Sequence, residues 1–278
     1  MKKCVLSDGY IGSAYKEAGY NCINRKQYDC LRDSFDKLET LLQDYDVVVN
    51  CIAITDTKWS EQKENFRTVW KVNADFVDKL SLYCNKTNKK LIHISTGDLY
   101  GTNFEWEKNI ETRPDLDVAT NYRFSKFAAE KFCSDNDLIL RIRLPFDARN
   151  HPKNLLLKAQ SYNKFYRWLN MFTYVPDLIA ATAILLEKDQ KGVFNVVQHE
   201  GINIFSLQKN IYAPNVKDID FHDKNDPHLT GDKDIVHVHN DINIAKLQQF
   251  FKTEKPVDAW IKSWDILKTK LTSANSDV

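Results

Sequence analysis

Apolar positions in the first 145 residues fall into short continuous runs separated by stretches of helical spacing. Lys3-Cys4-Val5-Leu6 is the first run, and Ser7-Asp8-Gly9 behind it is turn chemistry. Helix formers follow from Ile11 to Gly19, where glycine suits a helix stop. Tyr20-Asn21-Cys22-Ile23 predicts a second strand and Leu31 to Leu42 a second helix. Asp46 to Ala53 reads as one uninterrupted buried strand, because a continuous apolar run suits a parallel strand covered on both faces. Val69 to Cys84 has helical period, Lys90 to Ser95 is another buried strand, and Phe124 to Phe132 is helical again. Leu138 to Leu144 is a strand stopped by Pro145. Strands alternating with helices in this way predict an α/β fold, a doubly wound parallel sheet of Rossmann-like type.

Beyond Pro145 the pattern loosens. Asn154 to Tyr162 and Pro176 to Leu186 have helical spacing, and Gly192 to Val197 reads as a strand. Ala213 to Lys233, rich in Asp, Asn, Pro and His, predicts a long loop. Val257, Trp260, Ile261, Trp264 and Leu267 fall on one helical face, a stripe expected to pack into a core. The expected organisation is a dinucleotide-binding domain over 1–145, a smaller C-terminal lobe over 146–272 with some elements returning to the sheet, and a flexible tail over 273–278.

Composition narrows the function classes. The 278 residues carry 39 Lys+Arg against 38 Asp+Glu, a net charge of +1 that gives no footprint for nucleic acid or an anionic membrane. The longest apolar runs, around Val47–Val49 and Ala180–Leu186, are far too short to span a bilayer, and Met1-Lys2-Lys3 leads into too little apolar length for a signal peptide. The six cysteines (4, 22, 30, 51, 84 and 133) form no CxxC pair, so no zinc framework is expected, and free thiols suit a reducing cytoplasm. His237-Val238-His239 lacks a third ligand and reads as an ordinary strand.

Only 8 glycines occur in the chain, so Gly9 and Gly12 within Asp8-Gly9-Tyr10-Ile11-Gly12 stand out. Placed between the first strand and first helix, they let backbone approach a pyrophosphate held at the helix N-terminus. An ordinary turn is the competing reading, and Leu6 stands where a G-x-x-G-x-x-G loop wants glycine. The second strand ends in Asn24-Arg25-Lys26, where an NAD site wants an acidic residue. The two cations suit the 2′-phosphate of NADP(H) instead; two solvated surface cations are the alternative. Tyr122 is the only tyrosine with Lys at +4, here Lys126, so both project from one helix face. An adjacent ammonium is expected to favour the phenolate of Tyr122. Thr96 ends its strand where α/β sheets present groups to ligands.

Gly9-Tyr10-Ile11-Gly12, Asn50-Cys51-Ile52-Ala53, Asn73, Ser95 to Gly101 and Tyr122-x-x-x-Lys126 together resemble an extended short-chain dehydrogenase/reductase acting on a nucleotide sugar. The resemblance runs to about residue 210. Leu140 to Pro145, Asn150-His151-Pro152-Lys153-Asn154 through Lys158, and Tyr162-Asn163-Lys164 are similar to a narrower group. That group is the UDP-4-keto-6-deoxyglucose 3,5-epimerase/4-reductases, or UDP-rhamnose synthases, of plants and giant viruses. The dTDP-4-dehydrorhamnose reductases and GDP-fucose synthases are more distant.

The resemblance implies a substrate-binding C-terminal lobe and NADPH delivering hydride to the C4 ketone of a nucleotide-linked 4-keto-6-deoxy sugar. Gly9, Tyr10, Ile11, Gly12, Asn24, Arg25, Lys26, Cys51, Ile52 and Ala53 would line the cofactor. Tyr122 would protonate the alkoxide, Lys126 would lower the Tyr122 pKa and hold the nicotinamide ribose, and Thr96 would align the ketone. Epimerising relatives use a cysteine two residues before the Tyr100 position with a later Lys or His; here Asp98 replaces the cysteine and Lys158 keeps the lysine. Reductase alone, reductase with Asp98–Lys158 epimerisation, and another nucleotide-sugar epimerase all remain open, with Lys158 also readable as a solvated surface lysine. A 4,6-dehydratase would resemble Thr-Asp-Glu where this chain has Thr96-Gly97-Asp98. A non-catalytic NADP-binding regulator on the same fold is the rival from another class, and a homodimer is implied by analogy.

Overall fold

Alternation within each buried strand divides the core into two layers. In the computed structural model, Val5, Val47, Val49, Ile92 and Ile94 point to one face of the sheet, and Cys4, Leu6, Val48 and Leu91 to the other. The structure describes residues 1–101, 110–112, 116, 118–161, 164–166, 170–200, 220–222 and 242–276. The strands β1 (Lys3–Leu6), β2 (Asn21–Ile23), β3 (Val47–Asn50), β4 (Lys90–Thr96), β5 (Leu138–Ile142) and β7 (Gly192–Asn195) form one sheet in the order β2-β1-β3-β4-β5-β7. Every pairing in it is parallel. Helices α1 (Tyr10–Glu17) and α8 (Val175–Glu187) send Tyr15, Leu178, Ala181 and Leu185 into the first layer. Helices α2 (Phe35–Leu42) and α5 (Phe76–Lys86) fill the second with Leu38, Leu42, Leu80 and Cys84.

Because the chain leaves β1 toward β2 and comes back on its other side to β3, the connections reverse direction between β1 and β3. A crevice opens at such a reversal beyond the carboxyl ends of the strands. Helices α3 (Thr57–Ser60) and α4 (Phe66–Trp70) lie past β3, and α4 runs through a π-helical turn at Lys71–Asp75 into α5. Helix α6 (Asn121–Phe132) connects into β5 and is fastened to it by a buried ion pair. Arg141 Nε and Nη2 donate to the two Glu130 carboxylate oxygens at 2.9 and 2.6 Å, and its Nη1 donates to the Tyr100 hydroxyl at 2.8 Å. Tyr100 donates onward to Asn195 Oδ1 on β7, and Ser95 Oγ on β4 also donates to Glu130.

The C-terminal part has its own small core of Phe146, Leu156, Phe172, Tyr174, Trp260 and Leu267. It collects α7 (Leu155–Lys158), α10 (Pro256–Ser276) and the loops between; the short α9 (Ala245–Gln248) instead packs Leu247 into the main core. Strands β6 (Lys164–Tyr166) and β8 (Asp220–His222) pair in parallel as a separate two-stranded sheet.

Several expectations shift. The third strand ends at Asn50, because the Ile52 and Ile54 N–H groups bond side chains of Asn50 and Asn73 rather than a neighbouring strand. The fifth ends at Ile142, since Leu144 turns to φ +41° before Pro145. The expected loop over 213–233 contains β8, and helix extends to Ser276, into the segment expected as a tail. On α10 the buried line is Ala259, Trp260, Ser263 and Leu267; Val257 and Ile261 face outward, being 43% and 40% exposed. The pair His237 and His239 lies outside the described residues, as do Tyr162 and Asn163. All six cysteines are free; only Cys4 and Cys84 are fully buried.

Removing one partner of a buried, doubly hydrogen-bonded ion pair leaves an uncompensated charge and costs about 3–5 kcal/mol. Arg141→Met should therefore lower the unfolding free energy in urea by that amount, and Glu130→Gln added to it should recover part of the loss.

Candidate active site

The first loop offers backbone donors rather than side chains. Gly9 caps α1 without a side-chain bond, and no acidic residue sits in the helix's first turn. The N–H groups of Tyr10, Ile11 and Gly12 thus keep the free donors and positive end that hold a phosphate. A Cβ at Gly12 would lie 1.9 Å from the Ser7 carbonyl oxygen, so only glycine lets the helix start this close to the strand end. Ser7 itself takes φ +91°, a conformation usually left to glycine. The Tyr10 side chain packs against the segment that follows β5. Its hydroxyl donates to Asp147 Oδ1 at 3.0 Å, Arg149 covers one ring face and His151 stacks at 4.9 Å.

Behind β2, the Asn24 side chain closes its own turn by accepting from Lys26 N at 3.0 Å. Arg25, Lys26, Arg32 and Lys37 border one shallow basin with Asp29 and Asp33, four cations against two anions. Arg25 donates to Asp29 at 3.1 Å and remains largely exposed. Cys51, Ile52 and Ala53 form half-buried chain beyond β3. Their course is set by Asn73 in the π turn, which accepts from Ile54 N, donates to Ile54 O and reaches Ser125 Oγ at 3.1 Å.

Thr96 and Tyr122 come together at the carboxyl end of β4, where the Thr96 hydroxyl acts on the Tyr122 phenol. Thr96 Oγ1 also accepts from Asp98 N at 3.1 Å. Tyr122 is placed by the start of α6, where Thr120 Oγ1 accepts from Arg123 N and the Glu61 carboxylate accepts from Asn121 N and Tyr122 N. A carboxylate on free helix N–H groups is a favourable anchor. Burial, then the charge of Asp98, push the Tyr122 phenol up to about 12, with the Thr96 hydroxyl opposing them. This runs opposite to the expected phenolate. The reason is that Lys126 is turned to β4: its Nζ donates to Ile94 O at 2.8 Å and lies 3.3 Å from His93 Nε2. Only 2% exposed, Lys126 is itself pulled down to about 8 by burial, with Glu130 as the main opposing charge.

Epimerisation through Asp98 and Lys158 was one of the open alternatives. Arg123 Nε donates to Asp98 Oδ2 at 3.1 Å and Arg143 Nη1 to its Oδ1 at 3.3 Å, so both oxygens are held by guanidinium groups. Lys158 stands exposed at the end of α7. Sequence reasoning missed Glu61, Arg123, Arg143 and His93. A histidine amid the apolar run Leu91 to Ile94 was a visible signal; Glu61 lies 61 residues from its partner and gave none.

The model of the RmlD substrate binding domain matches residues 11–225 of the chain. A curated relative, the uncharacterized protein L780 of Acanthamoeba polyphaga mimivirus, is 26% identical over 149 residues, covering 49% of this chain and 51% of that protein. The chain thus aligns with about half the length of that relative. Among solved structures, the L780 UDP-rhamnose synthase of the same virus superposes with a TM-score of 0.79 at 21% identity, covering 96% of this chain and 99% of that one. The dTDP-4-dehydrorhamnose reductase of Bacillus anthracis, solved in complex with NADP, superposes with a TM-score of 0.76 at 16% identity, covering 97% and 100%.

The lysine's depressed pKa makes stability depend on pH. Between about 8 and the ordinary 10.5 the unfolded chain binds more of this proton than the folded one, so this group's penalty is full below 8 and fades as pH rises. Lys126→Met should raise the unfolding free energy at pH 7, and the gain should shrink as urea titrations are repeated toward pH 10.

Proposed function

The chain belongs to the RmlD substrate binding domain family, and from that premise we propose that it is an NADPH-dependent reductase of the C4 ketone of a nucleotide-linked 4-keto-6-deoxyhexose. The observation that carries this reading is the approach of Thr96 to Tyr122 at the carboxyl end of β4, with Lys126 one helical turn behind on the same helix. The free N–H groups of α1 and the cramped Gly12 turn fit a dinucleotide's phosphates, and Arg25 and Lys26 fit a 2′-phosphate. Bound NADPH supplies the hydride.

The remaining work falls to the side chains. Thr96 orients the ketone oxygen by hydrogen bonding, and Tyr122 donates its phenolic proton as negative charge develops on that oxygen. A phenol held near 12 stays protonated across the physiological range, which suits a proton donor. Asp98, tied to two arginines, anchors the Thr96 turn rather than exchanging ring protons, so the reading is a reductase without an Asp98–Lys158 epimerase pair. Free thiols and the lack of any described helix able to cross a membrane fit a cytoplasmic setting.

Purified protein should oxidise NADPH, and not NADH, when given UDP- or dTDP-4-keto-6-deoxyglucose, followed at 340 nm. Tyr122→Phe should cut kcat by roughly 100- to 10,000-fold while leaving NADPH affinity near the original. Undiminished turnover in Tyr122→Phe would remove the reading.

A homodimer is part of the same proposal. Trp70 of α4, with Phe66 against it, meets Phe124 and Phe132 of α6, which are 42% and 38% exposed. Two copies joined across this aromatic face would bury it. Sedimentation velocity should show a dimer that Phe124→Asp converts to monomer.

A further inference from the structure

The parallel register sets Asn50 of β3 opposite His93 of β4, and both side chains are completely buried. Asn50 Oδ1 lies 3.0 Å from the Ile52 backbone nitrogen, which can only donate. The amide orientation is therefore fixed: Oδ1 accepts there, and the NH2 group points at His93 Nδ1, 3.2 Å away. Nδ1 must then accept. Burial holds the imidazole neutral, so its single proton is on Nε2, facing Lys126 Nζ at 3.3 Å. An ammonium has no lone pair to meet that N–H; an amine has one. Turning the Asn50 amide over would set NH2 against the Ile52 N–H and strand a backbone donor.

We propose that His93 is a positioning residue whose Nε2–H, aimed by Asn50, hydrogen-bonds the Lys126 amine and stabilises its uncharged form. The proposal deepens the catalytic-site reading of Lys126 and rests on it for its meaning, not for its test. Groups facing the lysine are few. From β4 come His93 and the Ile94 carbonyl; from beyond β3 comes Cys51; from its own helix come Glu130 and, just past the helix end, Cys133. Glu130, paired with Arg141, favours the ammonium, so the one group that prefers the amine through a directed bond is His93. The chain Ile52 N–H to Asn50 to His93 to Lys126 thereby ties the lysine's charge to the backbone beside the crevice.

The test needs neither substrate nor cofactor, so an absence of reductase activity would leave it intact. Long-range proton–nitrogen spectra of histidine-labelled protein should show His93 as the Nε2–H tautomer. The Lys126 side-chain carbon signal, assigned through Lys126→Met, should titrate near or below 8 and move up by about one pH unit in His93→Phe, which removes the N–H but preserves burial. Burial alone predicts no movement or a downward one. An Nδ1–H ring, or an unmoved or lowered Lys126 titration in His93→Phe, overturns the proposal. If His93→Phe does not fold, the tautomer measurement on the unsubstituted protein decides by itself, and an Nδ1–H ring overturns the proposal.

Discussion

The buried Glu130–Arg141 pair is the constraint on which the site depends. It fastens α6 to β5 one helical turn beyond Lys126, and through Tyr100, Ser95 and Asn195 it reaches β4 and β7. A helix held only by apolar packing could slide or roll by fractions of an ångström. Two parallel, charge-assisted hydrogen bonds in a fixed fork fix both its height and its rotation. Tyr122 and Lys126 inherit that alignment, and Glu61 secures the other end of the same helix. A rigid rod pinned at both ends is a sound mount for a proton donor.

Around that mount the electrostatics are layered rather than balanced at one residue. Among the described residues, Asp98 is the carboxylate whose charge raises the Tyr122 phenol, and its two arginines keep it in place. Tyr122 stays a phenol, while Lys126, drawn into the sheet, is the group whose charge is easily changed. Incoming phosphate charge at the α1 N-terminus would favour an ammonium on this lysine. The resting arrangement is thus poised, with the donor stable and the lysine adjustable.

Most of the fold was legible because a doubly covered parallel sheet writes itself as continuous apolar runs, and β1, β3, β4 and β5 stand within a few residues of where those runs lie. Errors came where a side chain captured backbone that a strand would have used, as Asn50 and Asn73 do beyond β3. The α10 stripe misled because five apolar residues fit a helical face, yet Val257 and Ile261 flank rather than share the buried line. Of the site, Gly12, Thr96, Tyr122 and Lys126 could be read from position and spacing. Arg123, Arg143 and Glu61 could not, since charged residues like these are common along any chain and only the folded chain brings them to Asp98 and α6.

The π turn at Lys71–Asp75 is one residue longer per turn than the helices on either side. That extra residue advances the phase of everything after it by about 100° while leaving the helix axis continuous. Asn73 sits inside the wide turn, where it can reach out to Ile54 and Ser125 together, and α5 still buries Phe76, Leu80 and Cys84 against the sheet. The two demands are incompatible in a regular helix, so the insertion works as a gear between them. A chain shortened by one residue there would have to choose between its core and its crevice.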